Sequence, residues 1–275
     1  FWERNDHIKL ILDNKDSLVG VNSNFLFSGV GKDKYELRSK ADTIWKESQR
    51  LFGNPDLSGF SSPDPKMVAH VFSEIDENKH QTSANALYLI KADLLFGYSK
   101  GKVIYITNYL KKNKIPKGDK QRDTLLQSAK EYFSVEKFLA LDSILLSRSA
   151  NGVSHFFSSI KVESILKYDT VNAIWIYNEI KRRFSSDLRD ELIAYQLQFE
   201  KISSNADSIQ KDAILLVKSL SAKAVLERLQ NRFINWQLSK YNLYAINDKT
   251  VNLDTFKGKV NLFGIWCNCC GACGI

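Results

Sequence analysis

Lys257-Gly258-Lys259-Val260-Asn261-Leu262-Phe263-Gly264-Ile265-Trp266-Cys267-Asn268-Cys269-Cys270-Gly271-Ala272-Cys273 reads as a turn feeding a nearly continuous apolar strand that runs into a cluster of thiols. All four cysteines of the 275-residue chain fall in its last nine residues. A Cys-x-x-Cys unit at the end of a buried strand has redox geometry. Cys270 and Cys273 are spaced to close a disulfide across the first turn of a following helix. A helix N-terminus placed there stabilises a thiolate and lowers a thiol pKa from about 8.5 toward roughly 3.5–7.5. The chain stops two residues after Cys273, so the helix is expected to lie beyond it.

Working back toward the N-terminus, Tyr241 to Ile246 and Thr250 to Leu253 read as two strands joined by a turn at Asn247-Asp248. A hairpin followed by an apolar strand suggests an antiparallel edge leading to a buried parallel strand. Residues 238–275 are therefore expected to open an α/β domain.

Between about residues 30 and 237 the apolar residues recur with helical period. Asp33 is a candidate cap for a helix to Phe52, with Leu37, Ala41, Ile44 and Trp45 on its apolar face. Residues 53–65 carry three of the four prolines and mark a loop. Met67, Val71, Phe72 and Ile75 form a second stripe. Ala86, Leu89, Ile90, Leu94 and Leu95 form a third, expected to continue through Ile104, Tyr105 and Leu110 despite Gly97 and Gly101. Asp119 caps a helix bearing Leu125, Leu126, Ala129, Tyr132 and Phe133, and Phe138, Leu141, Ile144 and Leu145 follow. Further helices are expected over 155–166, 171–184, 186–199, 206–217 and 221–237. No fixed repeat period marks a solenoid. At the start of the chain, Ile8, Leu10 and Leu12 alternate on one face and Phe25 and Phe27 on another, which reads as two strands. The expected class is mainly α: a helical array over 30–237, preceded by a β-hairpin remnant in 1–29 and followed by the first strands of an incomplete α/β domain over 238–275.

Composition narrows the functional classes. Hydrophobic residues make up 44% of the chain and charged residues 25%, which excludes a disordered tail. The net charge is +8, but its lysines and arginines are interleaved with carboxylates along helix faces, so nucleic acid is not expected as a partner. The dense basic spots Lys111-Lys112-Asn113-Lys114 and Lys181-Arg182-Arg183 fall where helix C-termini are expected and favour cations. No stretch reaches the roughly 18 consecutive apolar residues of a membrane span. With Phe1 first and Met67 the only methionine, the chain is expected to be a processed product or part of a longer protein, and any membrane anchoring to come from a segment before it.

The stretch Asn242 to Cys273 resembles the opening of a TlpA-like thiol-disulfide oxidoreductase, in the AhpC/TSA-related branch of the thioredoxin superfamily. Its strand pair, the Leu253-x-x-Phe256-Lys257-Gly258-Lys259-Val260 turn, the apolar strand ending at Trp266 and the Cys-x-x-Cys carry the likeness. The long helical region behind a β-segment is similar to the arrangement of envelope members. The resemblance implies a thioredoxin-like domain over 238–275, with Cys270 as the attacking thiolate and Cys273 as the resolving thiol. Trp266 would pack beside the site, and Gly271 and Ala272 would fill the positions between the cysteines. It implies no cofactor, protein disulfides as substrates, an upstream electron-donor thiol protein, and a periplasmic or cell-envelope location. The resemblance places the active-site helix beyond Ile275, so the 275-residue chain by itself is expected to be inactive.

Cys267 and Cys269 stand where the family usually has other residues, and Asn261 interrupts a strand that is normally apolar. Two other readings of the cysteines remain: incidental buried thiols, and a Cys-x-Cys-Cys-x-x-Cys set offering thiolates to zinc. The second lacks the separated Cys or His pair that structural zinc sites use, so no metal ligands are assigned. A reading from a different class takes residues 30–237 as a helical binding scaffold to which the cysteines are an appendage. His7, His70, His80 and His155 are scattered and read as surface or internally satisfied. Trp2, Trp45, Trp175 and Trp236 read as core.

Overall fold

The structure, a computed structural model, describes residues 7–13, 24–52, 62–80, 82–97, 102–134, 138–199, 206–231, 243–244 and 250–251. The chain divides into two compact units, Phe1–Glu227 and Arg228–Ile275. In the first, β1 (His7–Asp13) and β2 (Asn24–Val30) pair antiparallel, His7 opposite Val30 and Asp13 opposite Asn24. Gly29 is required in this ladder: at φ +104°, a Cβ there would sit 1.9 Å from the His7 carbonyl oxygen. Phe27 stacks on Tyr35 at 5.5 Å, joining β2 to the first helix.

Eleven helices follow among the described residues: α1 (Lys32–Phe52), α2 (Pro65–Glu77), α3 (Ala84–Gly97), α4 (Lys102–Asn113), α5 (Lys120–Phe133), α6 (Ser143–Leu146), α7 (Ala150–Tyr168), α8 (Ala173–Arg183), α9 (Ser186–Phe199), α10 (Ala206–Leu216) and α11 (Leu220–Asn231). The mainly helical reading holds, and most boundaries fall within a few residues of those expected. Two details differ. The stripe expected to run from Ala86 through Leu110 is two helices, α3 ending at Gly97 and α4 starting at Lys102. The segment around Phe138 to Leu145 yields only the single turn of α6. Glycines lower helix propensity where the side-chain pattern would otherwise carry it through.

Helix starts are set by side chains that accept from otherwise orphaned N–H groups, each contributing about 1 kcal/mol. Asp119 accepts from Gln121 N at 2.8 Å, as its position suggests. Asp64 accepts from Lys66 N, Asp142 from Ile144 and Leu145 N, Ser149 from Gly152 N and Asn172 from Trp175 N. Across the chain, Asp190 of α9 is buried and accepts from Lys218 and Ser219 N, holding the start of α11.

α7 is the hub, packing against α3, α4, α5, α8 and α9. Apolar residues are buried on several of its faces, as the number of its neighbours requires. Its Phe156, Phe157 and Ile160 enter the main core with Leu37, Val71, Ile90, Phe96, Ile180 and Leu192. Its Val162, Ile165 and Leu166 enter a second cluster with Ile106 and Leu110 of α4 and Ala129, Tyr132 and Phe133 of α5. In the second unit, β3 (Leu243–Tyr244) pairs antiparallel with β4 (Thr250–Val251), Leu243 opposite Val251.

Candidate functional site

The cysteine site named from sequence, Cys270 and Cys273 with Trp266, Gly271 and Ala272, lies outside the described residues, as do Cys267 and Cys269. The β3–β4 ladder is the last described element before them. It falls where the sequence reads two short strands, and no further strand is described after it.

Within the helical unit the described side chains converge on a trough along α7. Phe156, Ser159, Glu163 and Leu166 recur at helical spacing along its floor, about 15 Å of helix. Arg122, Leu126 and Lys130 of α5 form one wall, and Trp175, Glu179, Arg182 and Arg183 of α8 the other. Two adjoining clefts make up the trough, of about 470 Å³ and 420 Å³, and they share Lys130, Glu163 and Arg183.

The shared point is an ion-pair ladder. Arg183 donates bidentately to Glu163 at 2.6 and 2.7 Å and also, from Nε, to Glu179 at 2.6 Å. Arg182 donates to the same Glu179 carboxylate at 2.6 Å. These bonds, that of Arg182 foremost, hold the Glu179 carboxyl below its usual range, and the Glu163 carboxylate raises the Arg183 guanidinium. Fork-shaped pairing of this kind fixes orientation as well as charge. Lysine could not replace either arginine here.

The two clefts differ in chemistry. One is lined by Phe133, Leu141, Leu146, Phe156, Phe184 and Leu188, with the hydroxyls of Ser134, Ser143, Ser159 and Ser185 among them. The other carries Arg122, Lys130, Lys167, Arg182 and Arg183 against Asp123, Glu163 and Glu179, five cations to three carboxylates. Lys167 Nζ lies 5.5 Å from the Trp175 ring centroid and 5.4 Å from that of Tyr168. Trp175, read from sequence as core, is half-buried, with one side against the core and another facing the cleft.

Arg122 closes the end of the trough and is itself buried. Its five N–H donors reach Pro116 O at 2.8 Å, Ile115 O at 2.8 Å, Leu166 O at 3.0 Å, Ile165 O at 3.5 Å and the Asp169 carboxylate. It thereby partners the Leu166 carbonyl, and joins the Asp169 N–H on Ile165 O, where α7 reaches its cap Asp169, whose φ of 66° is left-handed.

Other polar clusters serve packing. Asp93 accepts from Ser149 Oγ, and its carboxyl is pushed up by burial. Asp212 accepts from Tyr177 Oη at 2.8 Å and Lys181 Nζ at 2.7 Å, which hold it low, Lys181 most strongly, while burial raises the Tyr177 hydroxyl. Buried His155 bonds through Nε2 to Phe133 O at 3.2 Å among the rings of Phe96, Phe133 and Phe156, as a core histidine. Trp45 is core, as read from sequence, while Trp2 and Trp236 lie outside the described residues. Among the described residues no group of three or more His, Cys, Asp or Glu could hold a metal ion, and no helix is long and apolar enough to cross a membrane.

Sequence reasoning named none of the trough as a site. Lys181-Arg182-Arg183 does fall in the last turn of α8, as its charge suggests. That Arg183 finds Glu163, twenty residues back, is a product of the fold. Compared with known proteins, the chain matches no family model, no curated protein and no solved structure.

Proposed function

We propose that the chain belongs to a thiol-disulfide oxidoreductase of the bacterial cell envelope, TlpA-like in organisation, with its chemistry at Cys270 and Cys273. The observation that carries this reading is the concentration of every thiol of the chain within seven residues, directly after an apolar run ending in Trp266. On this reading residues 1–29 are what is present of a β-segment, 30–237 a helical domain and 238–275 the opening of a thioredoxin-like domain. The Cys270 thiolate attacks one sulfur of a substrate protein disulfide, and the other sulfur leaves as a thiolate and takes up a proton. The Cys273 thiolate then attacks Cys270 in the mixed disulfide, which frees the second substrate thiol and leaves a Cys270–Cys273 bridge. A dithiol donor protein reduces that bridge by the same exchange in reverse. No cofactor enters.

The Cys-x-x-Cys spacing occurs twice in this cluster, because Cys267 stands three residues before Cys270. Peptide mapping after oxidation, in the protein carrying this chain, separates the pairings. A dominant Cys270–Cys273 bridge is expected, together with disulfide reductase activity that Cys270→Ser abolishes and Cys267→Ser spares. A dominant Cys267–Cys270 bridge, with activity lost in Cys267→Ser, would move the working pair one register upstream. Absence of reductase activity in the protein and all single variants would refute the redox reading.

A further inference from the structure

The trough along α7 joins two clefts of different lining. A floor helix with two flanking walls is an ordinary outcome of helix packing, but its two ends are chemically unlike and meet at a fixed ion-pair ladder. In that ladder Glu163 and Glu179 are engaged by Arg183 and Arg182. The charged cleft is left with Lys130, at its junction with the other cleft and in no ion pair among the described residues, and with Lys167 over Trp175. The opposite end exposes apolar surface, Leu141 at 44%, beside Phe184 and Ser159.

We propose that this trough binds an acidic, amphipathic peptide segment of a partner protein. Its apolar side chains lie over Ser159 between Leu141 and Phe184, and its carboxylates meet Lys130 and Lys167. Three features select this occupant. The trough is open along its length, which suits a chain better than an enclosed small molecule. Its floor of about 15 Å matches four or five extended residues at about 3.3 Å each. In the charged cleft Lys130 and Lys167 make no ion pair among the described residues, against one such carboxylate, Asp123, which calls for a ligand whose negative charge lies at that end. The Glu163–Arg183 pair, fastened at both partners, supplies a rigid divider between the two halves. The proposal is independent of the cysteine chemistry, since every residue it uses lies in the first unit.

The test is fluorescence anisotropy with the full chain and a labelled short peptide that carries leucine and phenylalanine in one half and glutamate and aspartate in the other. The expected result is saturable binding, and at least about fivefold weaker binding of a peptide of the same composition with the two residue classes alternated. Lys130→Glu combined with Lys167→Glu should weaken binding by about tenfold, and raised salt should act in the same direction. Ser159→Trp, which fills the floor of the apolar half, should abolish binding while circular dichroism shows an unchanged helical fold. Equal binding of the alternated peptide, indifference to the double charge reversal, or retained binding by a folded Ser159→Trp protein would each overturn the proposal. Tighter binding of a single-stranded oligonucleotide than of the ordered peptide would overturn it as well, by assigning the cations to phosphate.

Discussion

Replacing Arg122 by Met tests how far the end of the trough is held by one side chain. The guanidinium is 6% exposed and has all five donors engaged, four by carbonyl oxygens and one by Asp169. Summed at about 1.5–3 kcal/mol per charge-assisted bond, five bonds would overstate the loss, because Pro116 is exposed, so water can replace the donor at its carbonyl. The Leu166 carbonyl sits at the C-terminal end of α7 against the second apolar cluster and methionine offers it no donor, while Ile165 O keeps the Asp169 N–H. Removing one partner from a buried charged network costs roughly 3–5 kcal/mol, and that is the range expected for Arg122→Met. Arg122→Lys restores a charge and three donors but not the planar fork, and should recover less than half of the loss. Urea titration of the full chain, followed by circular dichroism at the helical band, gives both numbers from the shift in midpoint. A loss below about 1 kcal/mol for Met, or full recovery by Lys, would show that the turn and the end of α7 are held by packing and not by the guanidinium.

Two further outcomes follow from the same structure. Burial raises the Asp93 carboxyl in the folded chain, so Asp93 costs no stability below the unfolded value of about pH 4 and costs progressively more as pH rises through its folded value. Asp93→Asn keeps an acceptor for Ser149 and should melt a few degrees higher than the parent at pH 7, the difference vanishing on acidification; a difference independent of pH would sink the assignment. Truncation after Gln237 should leave a cooperative thermal transition, because the members of both apolar clusters lie at or before Leu226. Loss of that transition would make the last 38 residues part of the fold of the first unit.

How much could be read in advance depended on the range of the interaction. Stripes such as Met67, Val71 and Ile75, or Leu37, Ala41 and Ile44, announce their helices because one face is buried and the other is wet. Asp119 announces its cap because the acceptor and the N–H it serves are two residues apart. α7 begins at Ala150, ahead of the start expected at His155, since a helix with buried residues on several faces has little polar contrast to mark where it begins. Arg122 looks in the sequence like one more helix-face cation, and its five acceptors are supplied by turns and helix ends that only folding assembles. The trough was invisible for the same reason, as no local pattern relates Lys130 to Trp175. For the cysteines the position is reversed: their spacing is explicit in the sequence, and they lie outside the described residues.

Because α7 gives Phe156, Phe157 and Ile160 to one apolar cluster and Val162, Ile165 and Leu166 to the other, neither cluster has a boundary helix of its own there. Amides in the middle of this helix should therefore exchange with solvent only through the largest opening event of the unit, whichever cluster is weakened. Substitutions in the two clusters, such as Phe96→Ala and Tyr132→Ala, both draw on one rod, and their costs should fall short of additive when combined. For anyone dividing this unit into smaller pieces, a cut through α7 removes a wall from both rooms at once, whereas a cut between α9 and α10 leaves both clusters their common helix.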